Sequence, residues 1–304
     1  MESVNFSLLA NQKIANTLGK RGTQSDITLY DRKERDTIRT WVRPHGFPDK
    51  IQPLMQAINL GEYAILCLDA LDKFAGEQIL ALDLLSVKDG ILSHTHDVDH
   101  NSLLRAIRGT VLENYRYVEP DDIRRATMDF EPLHSAGDTN IVVDHCFDVQ
   151  GAGTIILGKV MSGTVSKYDE LTLYPADTSV LVKSIQMHDD PVDTASSPAR
   201  VGLAIKGVKP DDVRRGDMLC NYKCPVASTL SVDFTKTPYY DGDVIRGQMC
   251  LVNLGLQVVS GKFVSTNPVS IKTDRPVSYG VYSNCIILKP EYKIRIMGGG
   301  TVSN

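Results

Sequence analysis

What most limits the fold of this chain is a change of rhythm near residue 134. Before it, buried-strand and helix signals alternate. "VNFSLLA" (4–10) reads as a buried strand, and "KIANTLGKRG" sets Ile14 and Leu18 at i, i+4 before a glycine stop, a short helix. "DITLYD" and "DTIRTWVRP" read as a hairpin. "DKIQPLMQAINLG" places Ile51, Leu54, Met55 and Ile58 at helical spacing ahead of Gly61, and "YAILCLDA" is a strand. "GEQILALDLL" (helix), "DGILSH" (strand) and "HNSLLRAIRGTVLEN" (helix) continue the series. Alternation of this kind predicts βα units on a mainly parallel sheet, an α/β domain over residues 1–133.

Beyond residue 134 the helical period is gone. "NIVVDHCFDV", "GTIILGKVMSGTVS", "ELTLYPA", "VLVKSIQMH" and "RVGLAIKGV" are short apolar runs broken by Gly, Pro and Asp, the pattern of a closed barrel. A second such series runs from "STLSVDF" through "RGQMCLVNLGLQVVSGKFV", "VSIKT" and "CIILKP" to "YKIRIMGGGTV". The fold expected is therefore α/β followed by two all-β barrels, over 134–220 and 221–304.

Charge narrows the classes of partner. The chain carries 33 basic and 37 acidic residues, a net of −4, which argues against a protein that coats nucleic acid over its whole surface. The balance is uneven: −4 in residues 1–133, −4 in 134–220 and +4 in 221–304. A phosphate backbone is thus expected at the C-terminal barrel. Six cysteines are scattered, several inside apolar runs, as in a reducing cytosol. Cys220 and Cys224 have no second ligand pair at zinc spacing. The N-terminus lacks the basic start and apolar length of a signal peptide, and no run reaches membrane length. A soluble, cytoplasmic monomer is expected, with no membrane and no DNA partner.

"NTLGKRGTQSD" (16–26) holds the ingredients of a phosphate loop in the wrong order: Gly19, Lys20, Arg21, Gly22, Thr23. The G-x-x-x-x-G-K-[ST] spacing aims successive backbone N–H groups at phosphates, and this run lacks it.

The middle barrel is the most specific stretch. Phe147, Gly151-x-Gly153-Thr154, Gly158, Gly163, Asp169, "SIQMH", "RVGLAIKGV" and Arg215-Gly216-Asp217 together resemble the second domain of the translational GTPases, above all SelB and elongation factor Tu. "KIRIMGGGTV" is similar to the closing strand of the third domain, and "IQPLMQAINLGEYAILCLDA" to the helix and strand after the family's DxPGH motif. The resemblance implies a P-loop-NTPase-like first domain and two barrels, with aminoacyl-tRNA and the ribosome as partners. It also implies GTP and Mg2+ as family ligands, and here the residues disagree. Directly after the first strand stands "ANQKIAN", without glycine. Arg43 of "RPHGFP" occupies the place of the metal-binding Asp, and "HTHD" keeps only Asp97 of the N-K-x-D base-recognition motif. Losing one well-placed charge-stabilising donor costs about 2.7–4 kcal/mol of activation energy, so losing loop, lysine and metal ligand removes roughly 8–12 kcal/mol. No GTP hydrolysis, weak GTP affinity and no cofactor are expected. An active GTP-using elongation factor and a ribosome-docking regulator are the alternatives.

The candidate residues follow. Asp97 is left to meet a guanine edge or to serve in a turn before a helix at 101. His94, His96, Asp97, Asp99 and His100 form H-T-H-D-V-D-H, a pattern that would supply metal ligands or loop residues. The resemblance makes Gln186, His188, Asp189 and Arg200 the pocket for the aminoacyl end of a tRNA. Strand alternation alone has Ile185 and Met187 filling the barrel while Gln186 and His188 face solvent. Lys289, Lys293 and Arg295 are candidates for tRNA backbone phosphates, contacts that need no particular base. Nothing in these residues identifies the amino acid.

Overall fold

The computed structural model describes residues 1–303, the side chain of Thr23 apart. The first domain is built on strands β1 (Glu2–Leu9), β2 (Lys20–Gln24), β3 (Ile27–Glu34), β4 (Thr37–Pro44), β5 (Tyr63–Leu68), β6 (Gly90–His94) and β7 (Arg116–Tyr117). Their order in the sheet is β2-β3-β4-β1-β5-β6-β7, with β4, β1, β5, β6 and β7 parallel and the β2–β3–β4 meander antiparallel. Helices α1 (Gln12–Leu18), α2 (Gln52–Leu60), α3 (Lys73–Leu84), α4 (His100–Ala106) and α5 (Ile123–Ala126) flank it. The central strands are buried on both faces, which is why "VNFSLL" and "YAILCL" read as continuous apolar runs.

Two details differ from expectation. "GKRGT" does not merely end a helix: Gly19 caps α1, and from Lys20 the run continues as the edge strand β2, bulged between Arg21 and Gln24. The helix expected over 100–114 stops at Ala106, and Gly109 at φ +78° separates it from a 3-10 turn at Val111–Asn114.

The second domain runs through β8 (Asn140–Val149), β9 (Gly153–Ser162), β10 (Thr164–Ser166), β11 (Glu170–Tyr174), β12 (Thr178–Met187), β13 (Asp190–Val192), β14 (Thr194–Ser196), β15 (Arg200–Lys206) and β16 (Met218–Cys220). Pairing in the order β11-β16-β8-β9-β15-β12, with β12 back on β11, closes a six-stranded barrel. Val143, Ile156, Val182, Ile185 and Leu203 fill it, as the period-two alternation requires. The third domain closes β17 (Val226–Lys236), β18 (Met249–Leu254), β19 (Gln257–Thr266), β20 (Val269–Ser278), β21 (Asn284–Leu288) and β22 (Ile296–Ser303) into a second barrel. No helix among the described residues is long and apolar enough to cross a membrane.

The three domains share buried surfaces. Ile286, Leu288 and Ile296 of the last barrel join the apolar cluster under α2 and α3. Val42, Ala57 and Leu60 of the first domain meet Val142 and Leu256, one from each barrel. Charged contacts cross the same boundaries. Lys159 of β9 forms a buried ion pair with Glu62, its Nζ donating also to the Leu60 carbonyl at 2.8 Å. Arg215 donates to Ser25 Oγ at 3.0 Å and Gln56 Oε1 at 3.1 Å.

Candidate functional site

A cavity of about 320 Å³ lies between the β2–β3–β4 meander and the outer face of the middle barrel. Gly22, Leu29, Asp31, Ile38 and Thr40 form one wall; Leu157, Gln186, His188, Asp189, Arg200, Val201 and Gly202 form the other. The four residues taken from the sequence as a pocket are therefore brought together. Alternation behaves as read: Ile185 and Met187 are buried in the barrel, while Gln186 and His188 point outward. Outward here means into the cavity.

Local geometry explains the aim. Met187 pairs with Asp190, so His188 and Asp189 form a two-residue hairpin turn, both left-handed at φ 50° and 68°. Such a turn demands positive φ at both central positions, and His and Asp are among the few non-glycine residues that adopt it readily. It brings His188 Nε2 to 2.9 Å from Asp31 Oδ2 on β3. A pair of Lys33 with Asp190 joins the same two elements. Behind the cavity, Arg200 Nη2 donates to Asp144 Oδ2 at 3.0 Å. Asp144 is buried, yet its carboxyl is held well below the usual carboxylate range. Burial alone would raise it; the His145 ring at 3.2 Å and the Arg200 and Arg215 guanidiniums overcome that effect. At the floor, Gly202 sits between Leu157 and Gln186 across the sheet, and a Cβ there would lie 3.5 Å from Leu157 Cδ2. Its missing side chain is open floor. The cavity thus offers an apolar base, a side-chain amide and hydrogen-bonding carboxylate and imidazole groups, the mixture expected of a small-ligand site.

A second cleft, of about 290 Å³, opens at the carboxyl ends of β1, β4 and β5. In an open α/β sheet this is where a ligand is expected. Only Ala10 and Asn11 separate β1 from α1. Asn11 is consumed as the helix cap, accepting from Ile14 N at 3.1 Å, and its amide donates to Asp69 at 3.0 and 3.2 Å. Arg43 Nε donates to the Ala10 carbonyl at 2.9 Å. Burial lowers the Arg43 pKa, with Arg21 adding to the effect. A two-residue turn supplies no cradle of N–H groups, and an arginine faces the place where a metal ligand would stand. These residues do not fit a magnesium-bound triphosphate.

The remaining candidates fare differently. Asp97 lies exposed in a turn beside His96 at 3.4 Å; the cap of α4 is Asp99, which accepts from Ser102 N, and the helix begins at His100. His94 Nε2 meets His100 Nδ1 at 3.1 Å and the Tyr117 hydroxyl at 3.2 Å. His96 points away, so the five residues of the run do not converge, and no metal-binding group of three such side chains occurs among the described residues.

Arg295 must be corrected. It is buried, its guanidinium bonded to Glu77 of α3 at 2.9 Å (Nε to Oε1) and 2.5 Å (Nη2 to Oε2), and to the Pro48 carbonyl at 2.7 Å. The rings of Phe47 and Phe74 each lie 5.6 Å from it. It ties the last barrel to the first domain and cannot face a phosphate. Lys289 donates to the Met249 carbonyl at 3.0 Å and pairs with Glu291 at 2.9 Å, while Lys293 is exposed. Asp31, which the sequence reading passed over, belongs to the cavity; it sits in a polar strand run whose partner turn lies more than 150 residues away.

Comparison with known proteins places this geometry. The profile of elongation factor Tu domain 2 matches residues 153–220. The uncharacterized protein MJ0325 of Methanocaldococcus jannaschii is 34% identical over 99% of this chain and 99% of its own length. The selenocysteine-specific elongation factor of the same organism is 26% identical over 66% of this chain, which spans 48% of that protein. Among solved structures, SelB of Methanococcus maripaludis with the GTP analogue GppNHp superposes with a TM-score of 0.81 at 19% identity, covering 100% of this chain and 79% of that one.

Proposed function

This chain belongs to the SelB-like translation elongation factor family, and from that premise we propose that it binds the aminoacylated end of a tRNA between its first two domains and acts at the ribosome, in the cytoplasm, without using GTP. One observation carries the reading: the cavity that gathers Gln186, His188, Asp189 and Arg200 against Asp31. A planar base edge would meet the Gln186 amide over the Gly202 floor, and the esterified amino acid would extend toward Asp31 and His188. Two carboxylates, an imidazole and an amide supply donors and acceptors for a polar acyl group. Leu157 and Ile38 give the cavity an apolar base against which the acyl chain would lie.

The nucleotide side of the reading rests on the Ala10–Asn11 turn and on Arg43, which leave a triphosphate neither amide cradle nor cation. Filter binding of a total aminoacyl-tRNA pool, compared with the same pool deacylated, tests the pocket. Tighter binding of the charged pool is expected, and equal affinity would overturn it. Titration calorimetry with GTP and Mg2+ tests the second claim; a micromolar dissociation constant would reject it.

A further inference from the structure

Two histidines of the run H-T-H-D-V-D-H take no part in the reading above. His94 ends β6 and His100 opens α4, and the turn between them brings the two rings together. Their centroids lie 5.3 Å apart, and the ring of Tyr117 on β7 lies 5.4 Å from His94 and 4.7 Å from His100. The histidines are half-buried and Tyr117 is 37% exposed, so the group is reached from solvent.

Hydrogen bonding fixes what these rings offer. His94 Nδ1 lies 2.8 Å from the Thr95 carbonyl, which only accepts, so the ring proton sits on Nδ1 and Nε2 presents a lone pair. Two groups converge on that lone pair, His100 Nδ1 at 3.1 Å and the Tyr117 hydroxyl at 3.2 Å. The hydroxyl lies 3.2 Å from Glu119 Oε1 as well. One lone pair accepts one good hydrogen bond, so the neutral groups alone leave the arrangement short of acceptors. A cation resolves it. With the His100 proton on Nε2, both imidazoles aim a lone pair at one point, and the bond from His94 Nδ1–H to a backbone carbonyl is the outer partner that a metal-bound histidine ordinarily has. Neighbouring ligand atoms of a tetrahedral ion with bonds of about 2.0–2.1 Å stand roughly 3.3 Å apart, close to the separations of 3.1 and 3.2 Å found here. Asp99, which caps α4 one residue before His100, and Glu119 add negative charge, and Arg105 reaches Asp99 only at 3.9 Å.

We propose that His94 Nε2, His100 Nδ1 and the Tyr117 oxygen bind a divalent transition-metal ion of the zinc class, with water in the fourth position. Two imidazole nitrogens select such ions over Mg2+ and Ca2+, which take oxygen ligands. The phenol oxygen stands where a third histidine or a carboxylate would otherwise be needed. The ion clamps the carboxyl end of β6, the start of α4 and the edge strand β7, three elements that only the folded chain brings together, so its binding stabilises the fold. The site uses none of the residues of the cavity beside the middle barrel and stands independently of the aminoacyl reading.

The test is calorimetric titration of Zn2+ into the full chain, stripped of metal, kept reduced and free of any histidine tag. The parent should bind one equivalent, and the affinity should fall by at least about tenfold in each of His94→Ala, His100→Ala and Tyr117→Phe. His96→Ala and Cys146→Ser should bind as the parent does, the second lacking the one cysteine that is not buried. Mg2+ should produce no binding heat. A readout that needs no variant guards against misfolding: zinc added to the parent should shift the NMR ring resonances of two of its seven histidines and raise the melting point as its concentration rises. Full affinity in any of the first three variants, loss of the site in His96→Ala or Cys146→Ser, or resonance shifts spread over the other histidines would overturn the proposal. So would a parent protein that takes up no zinc.

Discussion

Replacing Glu77 by Gln tests whether Arg295 serves architecture or RNA. The carboxylate receives the Arg295 Nε at 2.9 Å and 3.2 Å, Nη2 at 2.5 Å, and the Arg295 backbone N–H at 3.2 Å. Both side chains are nearly inaccessible, 11% and 2% exposed, so solvent screens the pair little. At an effective dielectric of about 20, charges some 3 Å apart attract by roughly 5 kcal/mol before desolvation is subtracted. Removing one partner leaves the other charge buried and unpaired, at a cost of about 3–5 kcal/mol. For a chain of this size each kcal/mol moves the melting point by roughly 2–4 °C, so Glu77→Gln should melt on the order of 10 °C lower. The Phe47 and Phe74 faces recover part of this by cation–π attraction, about 0.5–2 kcal/mol. Glu77→Leu/Arg295→Met, which replaces the pair by apolar volume, should return most of the loss. Scanning calorimetry reads all three proteins. Glu77→Gln melting within a degree or two of the parent would refute the reasoning. So would an Arg295→Met variant that kept its melting point while its tRNA binding lost salt dependence.

Three further outcomes are expected. Asp144→Asn should destabilise by about 3–5 kcal/mol at neutral pH, because Arg200 and Arg215 lose their shared buried anion; urea unfolding at pH 7 measures it. Gly202→Leu should fill the cavity floor without disturbing the barrel, since a Cβ there meets Leu157 only at ordinary contact distance. Its melting point should be unchanged and the preference for charged tRNA lost; a retained preference would move the acyl site elsewhere. Burial pushes the Asp217 carboxyl up to about 6, so the folded state binds a proton that the unfolded chain, near 3.9, does not. That penalty is present at pH 7 and relieved as pH falls from about 6 to about 4, a gain on the order of 2–3 kcal/mol that Asp217→Asn should lack when melting points are compared across this range.

The legible part of this molecule was whatever depends on neighbours in sequence. "YAILCL" and "SIQM" declare a doubly buried strand and a half-buried one by their periods, and the structure places both so. The boundary between α/β and all-β architecture is a change of period, and the order β4-β1-β5-β6 follows from βα connections that run parallel. Strand β2 escaped because Gly22 reads as punctuation, whereas at a bulged edge strand glycine is tolerated. Arg295 escaped for a different reason. "LKPEYKIRI" is locally a basic surface run, and the carboxylate that buries its arginine lies 218 residues earlier on α3. Asp31 was invisible in the same way, its partner being a hairpin turn of another domain. Local pattern reports which face a side chain takes. It does not report what stands opposite.

The contacts that escaped sequence reading also decide how the domains are held. In a protein whose first domain swings with its ligand, the boundaries between domains must be cheap to break. Here Lys159 pairs with Glu62 and Arg295 with Glu77, both buried, and both pairs run from the first domain to a barrel. Arg215 adds two hydrogen bonds across the first boundary, and Asn5 Nδ2 donates to the Pro198 carbonyl at 2.9 Å. Separating the domains would return the paired charges to water, so the cost is chiefly the re-exposure of the apolar clusters that the domains share, about 25 cal/mol for each Å². A triphosphate would have to supply that through differential binding, and the Ala10–Asn11 turn and Arg43 leave it few contacts with which to do so. The two departures are therefore one physical statement. The side chains of this protein hold its domains in place, so the cavity wall formed by β2, β3 and β4 stands without a nucleotide to order it.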